Sequence, residues 1–415
     1  MPSEQRVGTA ESASSSGGVL AGVRVVELGQ LLAGPFAGHL LADFGAEVIK
    51  VEQPGRGDPM REWGHHRYND RALWWPSIAR NKKSVSLNLR TPEGQAILKQ
   101  LLQQADALVE NFRPGTLEGW GLGPEELHEI NPRLVIARVS GYGQTGPYAN
   151  RAGFASAGEA LGGLRYLNGY PGEAPPRTGI SLGDSLAGMF AVQGILAALY
   201  QRDALGLERG QVVDVSIMES CFALLESSVT EYDLLNVIRE PSGTGLKNVA
   251  PSNIYKSGDD KWMVIAANAD TLFRRLCAAM DVPDLADDPR FSTHAARGTN
   301  SDELDRIISD WAVQHTAAQI DKILNAQGVV ASPIYNAEDI AHDQHYAARD
   351  MILRVEDPHM GEIAIPGFIP KFSATPGVHR WTGPGEVGQH NQEVLGDVLG
   401  LSDKELDQLL EGGII

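Results

Sequence analysis

Asp184 is the residue of this sequence best placed to do chemistry. It ends the glycine-marked turn Thr178-Gly179-Ile180-Ser181-Leu182-Gly183-Asp184, and a long apolar segment through Met189 and Tyr200 follows with the spacing of a buried helix. One reading makes Asp184 the N-cap of that helix, its carboxylate accepting the first orphan amides. The other makes it a carboxylate nucleophile that attacks an acyl-thioester. The two are compatible, because capping amides would orient the carboxylate and keep it ionised.

A second group with chemical potential is cationic. Residues 56 to 90 hold Arg56, Arg61, Arg67, Arg71, Arg80, Lys82, Lys83 and Arg90 against only Asp58, Glu62 and Asp70. This is either a solvated face or a patch that recognises the phosphates of a large anionic cofactor. Trp63, Trp74 and Trp75 lie among these residues, as purine platforms or as core. The string Gly141-Tyr142-Gly143-Gln144-Thr145-Gly146 follows a strand, as a dinucleotide fingerprint should. Pro147 and Asn150 stand where the helix should start, and no acid-ended strand follows at ribose distance. It reads as a glycine-rich loop lining a cleft. Glu110-Asn111-Phe112-Arg113-Pro114-Gly115 is either an ordinary strand-to-helix turn or a ligand loop at the carboxyl end of a strand.

The elements that must position these residues alternate. Val23 to Leu28 reads as a strand, Gly34 to Phe44 as a helix and Glu47 to Glu52 as a strand, a βαβ unit with short connections. Strands follow at Ser84 to Leu89, Asp106 to Glu110, Arg133 to Val139 and Gln211 to Ile217, with a helix opened by Thr91-Pro92-Glu93. Such alternation implies an α/β fold, a Rossmann-like, mostly parallel sheet covered by helices. The pattern changes near residue 226. A hairpin around Gly258-Asp259-Asp260 precedes helices near 270–280, 301–314 and 317–327, the signature of a smaller α+β domain. The expected organisation is a flexible tail over 1–20, a large α/β domain over 21–225, the small domain over 226–330 and a return to the large domain over 331–415, with a final helix at Asp403 to Leu410.

Composition narrows the function. Apolar residues make up 42% and charged residues 21%, ordinary values for a soluble enzyme. A net charge of −18 argues against nucleic acid or an anionic membrane as partner, and not against a small anion in a local basic pocket. Two cysteines, Cys221 and Cys277, suit a reducing compartment, here the cytoplasm. No Cys/His cluster with metal-ligand spacing occurs, and His65-His66 is an isolated pair. No apolar run is expected to span a membrane. The polar N-terminal stretch lacks the apolar core of a secretory signal.

Taken together, these segments resemble the class III CoA-transferases, with the α-methylacyl-CoA racemases as relatives. The matching pieces are Leu32-Ala33-Gly34-Pro35-Phe36-Ala37, Gly45 to Glu52, Asn81-Lys82-Lys83-Ser84, Val109 to Gly115, Gly141 to Pro147, Gly183-Asp184, Gly210 to Ser216 and Gly388-Gln389-His390. Each is weak alone; their order along nearly the whole chain is specific. The resemblance implies an interlocked ring-like homodimer, with Asp184 as the catalytic aspartate. It implies a CoA cleft lined by Leu32 and Ala33, by Gln53 to Arg56, by Asn111, Phe112, Arg113 and Gly115, and by Tyr142. Lys82 and Lys83, in the basic island, are the further expected phosphate contacts. The family's long glycine-rich lid is represented only by Ser242-Gly243-Thr244-Gly245.

The activity so implied moves CoA from an acyl-CoA donor, succinyl-CoA by overall similarity, to a free carboxylic acid such as malate, with no permanently bound cofactor. Asp184, with a reference pKa of about 3.9, is expected to attack as its carboxylate. Arg61, Arg151 and Arg177 are the cations that could meet the acceptor. Two alternatives stand beside this reading: an acyl-CoA racemase, and a noncatalytic CoA-binding partner subunit. Phe154 occupies the position where the racemases carry a histidine and cannot exchange a proton. It is expected in a water-excluding pocket or in the core. Glu159, five residues on, is expected to point elsewhere.

Overall fold

A computed structural model describes residues 17–246 and 248–415; the tail expected over 1–20 lies, up to residue 16, outside the described residues. The chain forms two compact units. The first takes the chain up to Gly162, Ser181–Leu224 and Asp350–Ile415, and the second takes Gly163–Ile180 and Leu225–Arg349.

The first unit is built on six strands: β1 Arg24–Glu27, β2 Glu47–Glu52, β3 Lys82–Ser86, β4 Ala107–Glu110, β5 Val135–Ser140 and β6 Val212–Ser216. All pair in parallel, in the order β3-β2-β1-β4-β5-β6. This is the doubly wound order in which the chain reverses direction between β1 and β4. Apolar side chains on successive residues, such as Val25 and Val26 or Leu108 and Val109, are fully buried, as a sheet covered on both faces requires. β3 begins two residues before the expected Ser84, because its parallel pairing with β2 runs from Lys82 opposite Val48 to Ser86 opposite Glu52.

Five helices position the site: α1 Ala33–Asp43, α2 Pro92–Gln103, α3 Ala155–Leu161, α4 Leu182–Asp203 and α5 Ile217–Phe222. The Thr91 side chain caps α2 through the Gly94 amide at 3.2 Å, as its sequence predicts. Leu98 and Leu101 of α2 share a core with Val26, Leu108 and Ile136 and with Val394 and Leu406 from the end of the chain. α4 packs on α1 and β5 and buries Ala187, Gly188, Ala191, Ile195 and Ala198. By length and composition α4 could cross a bilayer, contrary to the expectation that no apolar run reaches that length. One face of it is buried against α1 and the sheet, while Met189 and Tyr200 are exposed.

In the second unit β7 Ser252–Lys256, β8 Trp262–Ala266 and β9 Val330–Pro333 form an antiparallel sheet in the order β9-β8-β7. Helices Asp270–Ala279, Ser301–Ala312 and Ala317–Ala326 bury Phe273, Leu276, Leu304, Ile308, Ile320 and Leu324 in its core. The boundary expected at residue 330 falls at Arg349, because Val330–Pro333 pairs with Trp262–Ala266.

Candidate active site

The loops that leave β1 and β4 at the reversal of strand order are tied together. The Asn111 side chain accepts a hydrogen bond from the Gln30 amide and donates one to the Gln30 carbonyl, both at 2.8 Å. Leu31 has φ +62°, and its amide donates to Asp58 at 3.1 Å. The Gly29 carbonyl accepts from Lys50 at 2.8 Å. Lys50 also meets Glu27 and Asp58, each at 2.7 Å, entirely out of water. Burial would raise the Asp58 pKa, but the Lys50 charge and hydrogen bond, with the Met60 and Leu31 amides, outweigh it and hold the carboxyl below its usual range. The β1–α1 loop is thereby fixed from three sides before α1 begins at Ala33.

Helix packing brings the start of α4, which carries Asp184, against the start of α1. A Cβ at Gly188 would stand 3.0 Å from the Ala33 carbonyl oxygen and 3.0 Å from the Phe36 ring, so α4 approaches the start of α1 as closely as glycine allows. Asp184 is four residues earlier and therefore one turn along the same face. It is not the N-cap: Ser181 occupies that place without a side-chain cap bond, and Asp184 lies in the first helical turn, half-buried. A carboxylate there still faces the positive end of the helix dipole.

The turn before Asp184 is tightly enclosed. The Gly183 amide donates to Glu159 Oε1 at 3.1 Å, and Glu159 is 4% exposed. A Cβ at Gly183 would meet Ile217 at 3.0 Å, Glu159 at 3.1 Å and Cys221 Sγ at 3.3 Å. Burial, then the Glu159 and Asp184 charges, push the Cys221 thiol up to about 11. Glu159 points into the turn before Asp184, and sequence reasoning did not select it. The signal lay in an acidic residue among the small residues Ala155, Ala157, Gly158 and Ala160. Phe154 is 71% exposed in the chain and caps α3 by position, so it is not core.

The other expected site residues separate into two sets. Leu32 and Ala33 follow β1, Gln53 and Arg56 follow β2, Asn111, Phe112, Arg113 and Gly115 follow β4, and Tyr142 follows β5, all at the carboxyl ends of parallel strands. Gln53, Arg56, Arg113 and Gly115 are exposed. Gly115 has φ +86°, which favours glycine at the turn into the next helix. Phe112 packs edge-on against Trp120 at 5.4 Å. Arg56 lines a cavity of about 270 Å³ with Arg61, Arg71, His359 and Glu386.

Lys82 and Lys83 belong elsewhere. They open β3, at the opposite end of the sheet from those loops. Lys82 is fully buried, 2.7 Å from Glu27 and donating to the Pro35 carbonyl at 2.7 Å. Burial pushes its pKa down to about 8; Lys82 has one carboxylate where Lys50 has two, and the two ammonium groups repel. Lys83 pairs with Glu47 and, at 2.7 Å, with Glu393. Neither is placed to hold a phosphate, because each ammonium is engaged by carboxylates of the sheet. Much of the basic island is likewise internal: Arg80 pairs with buried Asp43, and Arg61 binds Glu52 at 2.7 Å while stacking 4.0 Å over Trp75. Arg61 is therefore not available to an acceptor acid. Trp75 is buried, whereas Trp63 and Trp74 are exposed.

The glycine-rich string does not cradle a phosphate. The Gly143 amide donates to Ser140 at 2.9 Å and the Gln144 amide to Asp214 at 2.9 Å. Tyr142 and Tyr148 meet edge to face at 6.2 Å, and the Arg151 guanidinium lies 3.5 Å over Tyr148. Among the described residues no group of three or more His, Cys, Asp or Glu side chains could hold a metal ion.

Comparison with known proteins places these features. The profile of CoA-transferase family III matches residues 20–391. A succinyl-CoA–D-citramalate CoA-transferase of Chloroflexus aurantiacus is 57% identical over 387 residues, covering 93% of this chain and 96% of the relative. The alpha subunit of a succinyl-CoA–L-malate CoA-transferase from Chloroflexus aurantiacus is 40% identical over 398 residues, covering 95% and 92%. The human succinyl-CoA:glutarate CoA-transferase is 32% identical over 396 residues, covering 95% and 90%. Among solved structures, a CAIB/BAIF family protein from Brucella suis superposes with a TM-score of 0.82 at 30% identity, over 92% of this chain and 100% of that one.

Proposed function

The chain belongs to CoA-transferase family III and is a CoA-transferase, and on that footing we propose that it transfers CoA from succinyl-CoA to a small dicarboxylic acid of the malate or citramalate type through covalent catalysis by Asp184. The observation that carries the mechanism is the close approach of α4, one turn after its first-turn Asp184, to the start of α1 at the reversal of the sheet. The named relatives support succinyl-CoA as donor and a dicarboxylate as acceptor.

The Asp184 carboxylate bonds to the donor carbonyl carbon, the C–S bond breaks and CoA leaves as thiolate. The thiolate then attacks the aspartyl carbonyl of the mixed anhydride, succinate leaves as carboxylate, and an aspartyl-CoA thioester remains. The acceptor carboxylate repeats both exchanges in reverse and departs as its CoA thioester. The sequence is electron-neutral and consumes no proton. Each tetrahedral oxyanion needs donors, and backbone amides of the loops after β1 and β5 are the groups at hand. Exclusion of water protects the anhydride.

The CoA ester is assigned to the loops at the carboxyl ends of β1, β2, β4 and β5, with Arg56 and Arg113 as exposed cations for its phosphates. A homodimer is part of the proposal. Helix Ser228–Leu235 buries none of its residues and exposes Val229, Tyr232, Leu234 and Leu235, apolar surface that a second copy would cover. Two free, buried cysteines suit a cytoplasmic enzyme.

The test is the purified chain alone with succinyl-CoA and a panel of free acids, the CoA products being read by mass. Transfer to dicarboxylates, lost in Asp184→Asn, is expected, and hydroxylamine with donor should modify Asp184. Wild-type turnover in Asp184→Asn would end the mechanism. α-Deuteration of a chiral 2-methylacyl-CoA without any acceptor would favour racemisation instead.

A further inference from the structure

We propose that Glu159 is a positioning residue for Asp184: its buried carboxylate accepts the Gly183 amide and fixes the first turn of α4, and so the direction in which Asp184 meets the thioester. This rests on the reading of Asp184 as nucleophile.

Several observations carry it. The first amides of a helix have no partner within the helix and need an acceptor. Ser181, the local N-cap, makes no side-chain cap bond. The acceptor comes instead from α3, 24 residues earlier in the chain, at 3.1 Å from the Gly183 nitrogen. Glu159 is 4% exposed, and burying a carboxylate is costly unless its hydrogen bonds are made. A serine cap would hold the amide without that cost. A cap supplied by another helix does something a local cap cannot: it sets the nucleophile turn relative to α3 and α5 as well as closing the helix end. The packing agrees, since a Cβ at Gly183 would crowd Ile217, Glu159 and Cys221 at 3.0, 3.1 and 3.3 Å, and one at Gly158 of α3 would stand only 2.6 Å from Ile217. Three elements therefore converge on the residue that precedes Asp184.

Attack by a carboxylate on a thioester depends on approach within bonding reach and along one direction, and a displacement of about 1 Å costs on the order of 100-fold in rate. Glu159 acts through Gly183, so its loss should change the rate of acylation and leave affinity for the CoA ester alone.

Two variants of similar length separate the roles. Glu159→Gln keeps an acceptor oxygen for the Gly183 amide; Glu159→Met fills the space without one. Purified variants would be compared with wild type for kcat and KM with succinyl-CoA, for the single-turnover rate of succinate release without acceptor, and for the fraction of chains trapped at Asp184 by hydroxylamine at the end of the reaction. Glu159→Met should lower kcat and the single-turnover rate roughly 10- to 100-fold, with KM within about twofold and the trapped fraction near that of wild type. Glu159→Gln should recover most of the rate. A purely structural residue would lower the trapped fraction and the thermal midpoint while rates per trapped site stayed normal, and that result overturns the assignment. So does Glu159→Gln as slow as Glu159→Met, which would show that the acceptor atom is not what matters. If Glu159→Met does not fold, Glu159→Gln decides alone: wild-type folding with an acylation rate as low as that expected of the methionine variant overturns the proposal, and a preserved rate supports it. Failure to trap Asp184 in the wild type is a different result, which overturns the nucleophile reading and this assignment with it.

Discussion

The Asn111 side chain and the Gln30 backbone hold each other through two hydrogen bonds of 2.8 Å, one in each direction. This pair closes the place where the sheet reverses its order, so the loop after β1 and the loop after β4 move as one body. Asn111 thus holds the loop that leads to Leu32 and Ala33.

Loss of that clamp should loosen both loops while leaving Asp184 in place. Asn111→Ala is expected to raise KM for the CoA ester several-fold, with kcat changed less and stability lowered by about 1–3 kcal/mol for two hydrogen bonds. Steady-state kinetics with urea unfolding checks this. An unchanged KM in a destabilised protein would confine the pair to folding.

Lys82 should matter to folding and not to CoA. Lys82→Met removes one ammonium from buried Glu27 but leaves that carboxylate paired with Lys50 at 2.7 Å, so the variant should fold, and its stability should lack the titration that the buried ammonium gives the wild type. The remaining folded protein should bind CoA esters as wild type does. The pH dependence has a defined sign. Unfolded Lys82 holds its proton up to 10.5, folded Lys82 only up to about 8. Between these values the unfolded state binds more protons, so this residue's contribution to stability rises with pH through that window and is constant below it. Denaturant midpoints of wild type and Lys82→Met at pH 7 and pH 10 should diverge by an amount on the order of 3 kcal/mol; parallel pH profiles would contradict the buried ammonium.

Gly188 should tolerate no side chain. Gly188→Ala puts a Cβ 3.0 Å from the Ala33 carbonyl oxygen and from Phe36, so α4 must back away from α1. A displacement of a few tenths of an ångström at Asp184 should cost turnover roughly tenfold, beyond the about 1–3 kcal/mol expected from overpacking. Activity retained at a lowered melting temperature would show that the helix contact sets stability alone.

Cys221 should be inert in the native protein. Burial, with Glu159 and Asp184, pushes its thiol up to about 11, so little thiolate exists at pH 8. Iodoacetamide at pH 8 should leave Cys221 unmodified in native protein and label it in urea. Rapid native labelling would mean that the turn around Gly183 opens.

Much of this architecture is legible in the sequence because it is local. Glu47–Glu52 is a strand within its expected bounds, and the helices at Asp270–Ala279 and Ala317–Ala326 end within a residue of theirs, since apolar spacing and caps fix such elements. What pairing decides was not legible. Lys82 reads as a cation of a solvated face or a phosphate site, outside the strand expected from Ser84, yet the strand includes it because Val48 lies opposite and Glu27 waits inside. Glu159 was passed over for the same reason: only the fold brings it to Gly183. Asp184 reads as the cap of its helix, yet it lies in the first turn because Ser181 ends the preceding segment.

The joint core of β1, α2 and the last helical residues bears on how the molecule is made. Val26 and Leu108 share that core with Val394, Leu395 and Leu406, and the amide of Ser86 is held by the Asn391 side chain. During synthesis the sheet is complete once Ser216 has emerged, but its apolar flank stays uncovered for almost two hundred further residues. Through that interval the contiguous stretch Leu225–Arg349, with its own core, is free to fold first. Closure across so long a loop is slow, and the exposed flank is the surface most open to aggregation or chaperone capture meanwhile. Ribosome-bound intermediates should therefore show a protease-resistant fragment from residues 225–349 before any resistant fragment that contains β1.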